Sequence, residues 1–229
     1  MFGSTEIREP DAIIAILISF IVATTIHEFM HAYVAHRLGD NTARDLGRIT
    51  LNPMAHFEPI GFFGMVMISI GFPFIGWGKP VPVNTHRMTH VIAKRRQTGL
   101  AITAAAGPIS NVVQAAIAVI PIQIAVRNDY DLGRIGFFLG YFVSVNILLA
   151  AFNMIPIPPL DGHKILMGIL PNFWGPVLAP LERYGFMILF LLLFLGGNFG
   201  DSIVGSITDP VNSTLRDVLY TGLLGRSGV

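Results

Sequence analysis

The chain contains no cysteine. That absence removes disulfides, thiolate nucleophiles and cysteine-ligated metals together, so any metal site must be built from His, Asp or Glu. Charge is scarce as well. Asp, Glu, Lys and Arg make up 13% of the 229 residues against 52% hydrophobic residues, and the mean hydropathy is +0.63. A water-facing globular surface does not tolerate that balance, so the sequence reads as an integral membrane protein in contact with a lipid bilayer. The net charge of +1 creates no field for nucleic acid, and no nucleic-acid partner is expected. A basic n-region is also missing: Glu6, Glu9 and Asp11 precede the first apolar run, which is expected to be retained and not cleaved as a signal peptide. No internal repeat occurs, and no connection is long enough for a separate soluble domain.

What is present is apolar sequence in long stretches. A helix needs roughly 20 residues to cross about 30 Å of hydrocarbon, and four stretches offer this: about 12–35, 100–126, 135–160 and, the shortest, 185–199. A fifth run, 60–75, is apolar but carries Gly61, Gly64, Gly71 and Pro73, breakers that suit a re-entrant or interfacial segment. Residues 47–51 and 80–83 read as short extended strands at the membrane surface. Beyond Asp201, the spacing of Val211, Leu215, Val218, Leu219 and Leu223 predicts an amphipathic helix. The expected fold class is an all-α polytopic membrane protein, with about four spanning helices plus a re-entrant or interfacial segment with short strands near the cytoplasmic face. One domain over 1–229 is expected, with a core of about 12–170 and a C-terminal helix and tail over 184–229.

Chemistry concentrates in the first apolar helix as His27-Glu28-Phe29-Met30-His31, an H-E-x-x-H pattern. Histidines four residues apart share one helix face, about 6 Å apart along the axis, and suit two imidazoles on one zinc ion. Glu28, beside the first of them, is placed to take a proton from water whose pKa the metal has lowered. Ionisable groups within an apolar helix cost several kcal/mol unless paired or metal-bound, so three within five residues point to function. A catalytic zinc needs a third protein ligand. Asp161 is the strongest candidate, because Pro156, Pro158 and Pro159 interrupt the helix before it and let the carboxylate turn inward. Glu58 and Glu182 compete for that role from interfacial loops.

HEFMH, WGKPVPVN (77–84), AGPISN (106–111) and NMIPIPPLDG (153–162) together resemble the site-2 protease family of intramembrane zinc metalloproteases, over about residues 20–170. The resemblance implies one Zn²⁺ per chain held by His27, His31 and Asp161, with Glu28 as catalytic base and Asn153 holding substrate or the oxyanion. It also implies hydrolysis of peptide bonds in or next to transmembrane segments of other proteins. The residues themselves allow for Asn153 an oxyanion donor or an interhelical hydrogen bond. Asn111 reads first as packing between helices. His163 stands where many relatives have a small residue and is not assigned to the metal, nor are His36, His56, His86 and His90. Relatives with a PDZ domain or a CBS pair exist; this chain has room for neither. Two alternatives remain: an ion or metal transporter that uses the His and Asp cluster, and an inactive scaffold of the same fold.

Eight basic residues (Arg37, Arg44, Arg48, Lys79, Arg87, Lys94, Arg95, Arg96) against three acidic ones lie between the first helix and Leu100, which predicts a cytoplasmic connection. His27 lies 16 residues beyond Asp11, roughly 24 Å along the helix, so the metal is expected just inside the cytoplasmic edge of a prokaryotic plasma membrane. For Asp161 to reach that depth, the 60–75 run must not cross. A helical substrate hides its peptide bonds and must unwind to be cut; 47–51 or 80–83 are expected to receive it by strand addition. The pattern carries no expectation for oligomeric state.

Overall fold

In this computed structural model the described residues are 9–72, 74, 76–90, 96–171, 173–194 and 213. The described chain is helical: α1 (Pro10–Arg37), α2 (Thr42–Asp45), a 3₁₀ turn (Pro53–His56), α3 (Pro59–Ser69), α4 (Arg96–Arg127), α5 (Gly133–Asn153), α6 (Asp161–Ile169) and α7 (Trp174–Phe194). Pro10 opens α1, Asp11 sits in its first turn, and His36 and Arg37 sit in its last. That order suits the missing N–H of proline and the helix dipole at both ends.

Among the described residues, α1, α4 and α5 are long and apolar enough to cross a membrane. They pack on one another through small residues on their inner faces: Ala15, Ser19 and Ala23 of α1, and Ala104, Gly107, Ala115 and Ala118 of α4, are all buried. Small side chains let helix backbones approach closely where the surrounding solvent is as apolar as the helices. The larger core residues lock these contacts, with Ile16, Phe20, Met65 and Val145 in one cluster and Val119, Val143 and Ile147 in another. The outer faces carry exposed stripes at helical spacing: Ile14, Ile18 and Val22 on α1, and Ile109, Val113, Ile117, Ile120 and Ile124 on α4. Such stripes belong against lipid.

Helix α3 has 11 residues and rises only about 16 Å, half of a hydrocarbon layer. The chain then doubles back. Gly61 lies so close to the carbonyl of Trp77 that a side chain there would collide with it, and Gly76 lies against Met65 in the same way. The start of α3 and the chain at Trp77 therefore lie side by side.

Two expectations need correction. The third apolar stretch is helical only to Asn153: residues 154–160 are irregular, the interruption expected from its prolines, but Asp161 opens α6 instead of ending the preceding helix. Pro156, Pro158 and Pro159 supply no backbone donors, which explains the break. No strand occurs among the described residues, including 47–51 and 80–83. A strand needs a ladder partner, and here the extended chain is tied by separate bonds: Lys79 N–H to the His56 carbonyl at 2.8 Å, and Asn84 N–H to Asp40 Oδ2 at 2.5 Å. Arg48, counted among the cytoplasmic charges, is buried and donates to the Lys79 carbonyl at 2.5 Å. The fourth apolar stretch, 185–199, coincides with the second half of α7 as far as residue 194; its remainder and the amphipathic pattern around Ser213 lie outside the described residues.

Candidate metal centre

His27 and His31 project from the C-terminal half of α1, and Asp161 reaches them from the first position of α6. Gly162 lets α6 start there, since a side chain on it would run into the carbonyls of Met154 and Ile155. His27 Nε2 is 3.0 Å from His31 Nε2, and Asp161 Oδ2 is 3.1 Å from each. All three side chains are buried. Among the described residues these form the group of His and acidic side chains able to hold a metal ion.

The hydrogen-bond partners define what this triangle can do. His31 Nδ1–H donates to the Thr103 carbonyl at 2.8 Å, an acceptor with no proton of its own, so a neutral His31 offers its lone pair at Nε2. His27 Nδ1–H donates to Asn111 Oδ1 at 2.6 Å, so a neutral His27 offers its lone pair at Nε2 as well. In their neutral forms two imidazole lone pairs and a carboxylate oxygen converge on one point. Donor atoms around a tetrahedral zinc at about 2.0–2.1 Å lie about 3.3 Å apart, close to the separations here. The donor set fits a divalent cation with three protein ligands and an open fourth position.

Several neighbours shape the triangle. A Cβ on Gly107 would come within 2.5 Å of both imidazole rings, so only glycine fits where α4 passes them. Pro108, next in the helix, lacks the N–H that would bond the carbonyl one turn back. Lys164 donates to Asp161 Oδ1 at 3.2 Å and leaves Oδ2 for the histidines. Asn111, read from the sequence as packing between helices, does bond across to Ala23 and Asn146 and in addition contacts a ring nitrogen of the site. Its signal was its place four residues after Gly107 in AGPISN, though no linear spacing ties it to His27.

Glu28 lines a cleft of about 440 Å³ that also contains His27, His31, Asp161 and Asn153. The backbone of Gly78 presses close to Thr24 and Glu28 from the opposite wall. Burial pulls the Arg48 guanidinium below its ordinary pKa, and the Glu28 carboxylate opposes that shift. Asn153, the last residue of α5, uses its Nδ2 on the Leu149 carbonyl at 3.0 Å. The competitors stand elsewhere: Glu58 caps α3 through Gly61 N–H at 2.6 Å, and Glu182 is exposed and meets His163 at 3.4 Å. His36 pairs with Asn41 and His56 with the Thr50 carbonyl, while His86 and His90 are exposed.

A buried pair of histidines and a carboxylate beside a glutamate, set among helices with lipid-facing stripes, is the arrangement of a membrane-embedded metallopeptidase. The comparisons agree. Residues 120–196 match Peptidase family M50. The chain is 36% identical over 188 residues to "Putative zinc metalloprotease YwhC" of Bacillus subtilis, covering 79% of this chain and 80% of that protein. It is 32% identical over 185 residues to "Putative zinc metalloprotease Rip2" of Mycolicibacterium smegmatis, covering 79% and 66%. No solved structure matches the chain. The chain belongs to peptidase family M50, the site-2 protease family. It is an intramembrane metalloprotease, and membership of a peptidase family disfavours both the transporter and the inactive-scaffold alternatives.

Proposed function

We propose that the chain cuts peptide bonds in or next to transmembrane segments of other membrane proteins with one zinc ion held by His27, His31 and Asp161. The observation that carries this reading is the convergence of the two Nε2 atoms and Asp161 Oδ2 within 3.1 Å of one another in a buried cleft. When bound, zinc supplies Lewis-acid polarisation of the scissile carbonyl and acidifies water. Glu28 takes the proton from the attacking water and returns it to the departing amine. Asn153, in the same cleft, donates a hydrogen bond to the developing oxyanion.

The extended chain from Gly76 to Val83 forms one wall of the cleft. An unwound substrate lies along it and pairs with it, so short strands form there only with substrate present. Helix α7 is the fourth crossing. The connection with excess basic residues faces the cytoplasm, which sets the zinc toward the cytoplasmic side of a prokaryotic plasma membrane. The whole chain acts as one domain, with its catalytic core over about 12–170.

Elemental analysis of the purified protein tests the site. About one zinc per chain is expected in the wild type, with clear loss in His27→Ala and Asp161→Ala. Glu28→Gln is expected to keep the zinc and to lose cleavage of a membrane substrate by at least about 10²-fold. Zinc retained in Asp161→Ala would remove that carboxylate from the ligand set.

A further inference from the structure

We propose that Asn111 and Asn146 form an amide relay of fixed polarity that holds His27 in its Nδ1–H form, so that Nε2 always offers a lone pair to the metal. The inference rests on the reading of His27 as a ligand. It makes both asparagines positioning residues that act through that ring.

The relay begins at a backbone carbonyl. Asn146 Nδ2 donates to the Phe142 carbonyl, one turn earlier in α5, at 2.9 Å. A carbonyl can only accept, so the Asn146 amide must present its NH₂ there and turn Oδ1 toward α4. Asn111 Nδ2 donates to that oxygen at 2.9 Å and directs its other hydrogen at the Ala23 carbonyl, 3.5 Å away. Asn111 Oδ1 is then left for His27, 2.6 Å away, which must bring a proton on Nδ1. The direction set by one carbonyl of α5 thus passes through α4 and fixes the proton position on a ring of α1.

Burial makes this direction binding. Asn111 and Asn146 are 0% exposed. Turning the Asn111 amide over would set oxygen against oxygen at Asn146 and leave buried polar atoms unpaired, at about 1–3 kcal/mol per group. His31 reaches the same tautomer by a shorter route, one direct bond from Nδ1–H to the Thr103 carbonyl. A side-chain amide at position 111 does for His27 what a backbone carbonyl does for His31. It does so without adding another negative charge beside Asp161 and Glu28, which a carboxylate at 111 would.

The test uses the full chain in detergent or nanodiscs, with ¹⁵N-labelled histidine, as wild type, Asn111→Leu, Asn146→Leu and the acceptor-keeping Asn111→Asp. In metal-free wild type, long-range ¹H–¹⁵N spectra should show His27 as the Nδ1–H form, assigned by the signal lost in His27→Gln. Asn111→Leu should give a mixture of tautomers and bind zinc about 10–100-fold more weakly in competition with a chromophoric chelator. Asn146→Leu should shift both readouts in the same direction by less, and Asn111→Asp, which keeps the acceptor toward His27 but loses the donor to Asn146, should keep the Nδ1–H signal. A wild-type tautomer and wild-type zinc affinity in Asn111→Leu would overturn the relay. So would an Asn111→Asp protein with the same mixture of tautomers as Asn111→Leu, because the acceptor at 111 would then not hold the ring proton. Should Asn111→Leu fail to fold, Asn146→Leu against Asn111→Asp carries the same comparison. Absence of zinc from the wild type itself would sink the ligand reading, while the tautomer spectrum would still report on the relay.

Discussion

At the scale of single residues, the tightest constraint on the site is a missing side chain. Gly107 passes the two imidazoles where a Cβ would lie within 2.5 Å of His27 and His31 together. Helix interiors ordinarily favour alanine over glycine by about 1 kcal/mol, so on propensity alone Gly107→Ala should stabilise α4. The rings reverse that expectation. Gly107→Ala should displace one imidazole and weaken zinc binding by more than about 10-fold, measured by chelator competition; unchanged affinity would show that the rings have room to move. His27, Glu28 and His31 were legible from spacing because a helix repeats every 3.6 residues and puts i and i+4 on one face. Asn111 was not, because its partner lies 84 residues away on another helix.

At the scale of elements, α3 and the chain that follows it decide how the molecule is threaded. Glycine and proline density predicts a re-entrant segment, and the structure has a short helix whose exit lies against its entry, Trp77 on Gly61. Both flanks should therefore face one side of the membrane. The absence of cysteine makes this direct to test, since Met54→Cys and His86→Cys, both at exposed positions, can be labelled against a blank background. A membrane-impermeant maleimide should reach both from the cytoplasmic side, and opposite sidedness would mean that the 60–75 run crosses. The buried Arg48 has a role that a charge count does not carry. By sequence it is one basic residue in a polar connection; by structure it holds the carbonyl of Lys79 and so braces the wall of the cleft beside Glu28.

For the whole molecule, burying a hydrolytic centre among lipid-facing helices restricts what can be cut. A transmembrane helix keeps its peptide bonds in internal hydrogen bonds and must open before it can lie along the Gly76–Val83 chain. Substrates with glycine or proline near the cut site should be cleaved faster than versions with leucine there, by about the helix propensity difference of 1 kcal/mol, or roughly 5-fold per glycine. Rates from gel assays in reconstituted vesicles measure this. Equal rates would mean that unwinding is not limiting.

The sequence by itself determined the solvent, the chemistry and the break before Asp161. Hydropathy, H-E-x-x-H spacing and proline positions are local properties, and the backbone obeys them wherever the chain goes. The sequence also pointed to Asp161 through the prolines before it; tertiary structure alone decided that Glu58 caps a helix instead, that the extended segments hold no ladder, and which groups orient the rings. Those outcomes depend on contacts between residues tens of positions apart. Such contacts are set by how α1, α4, α5 and α6 pack, and no local pattern encodes that packing.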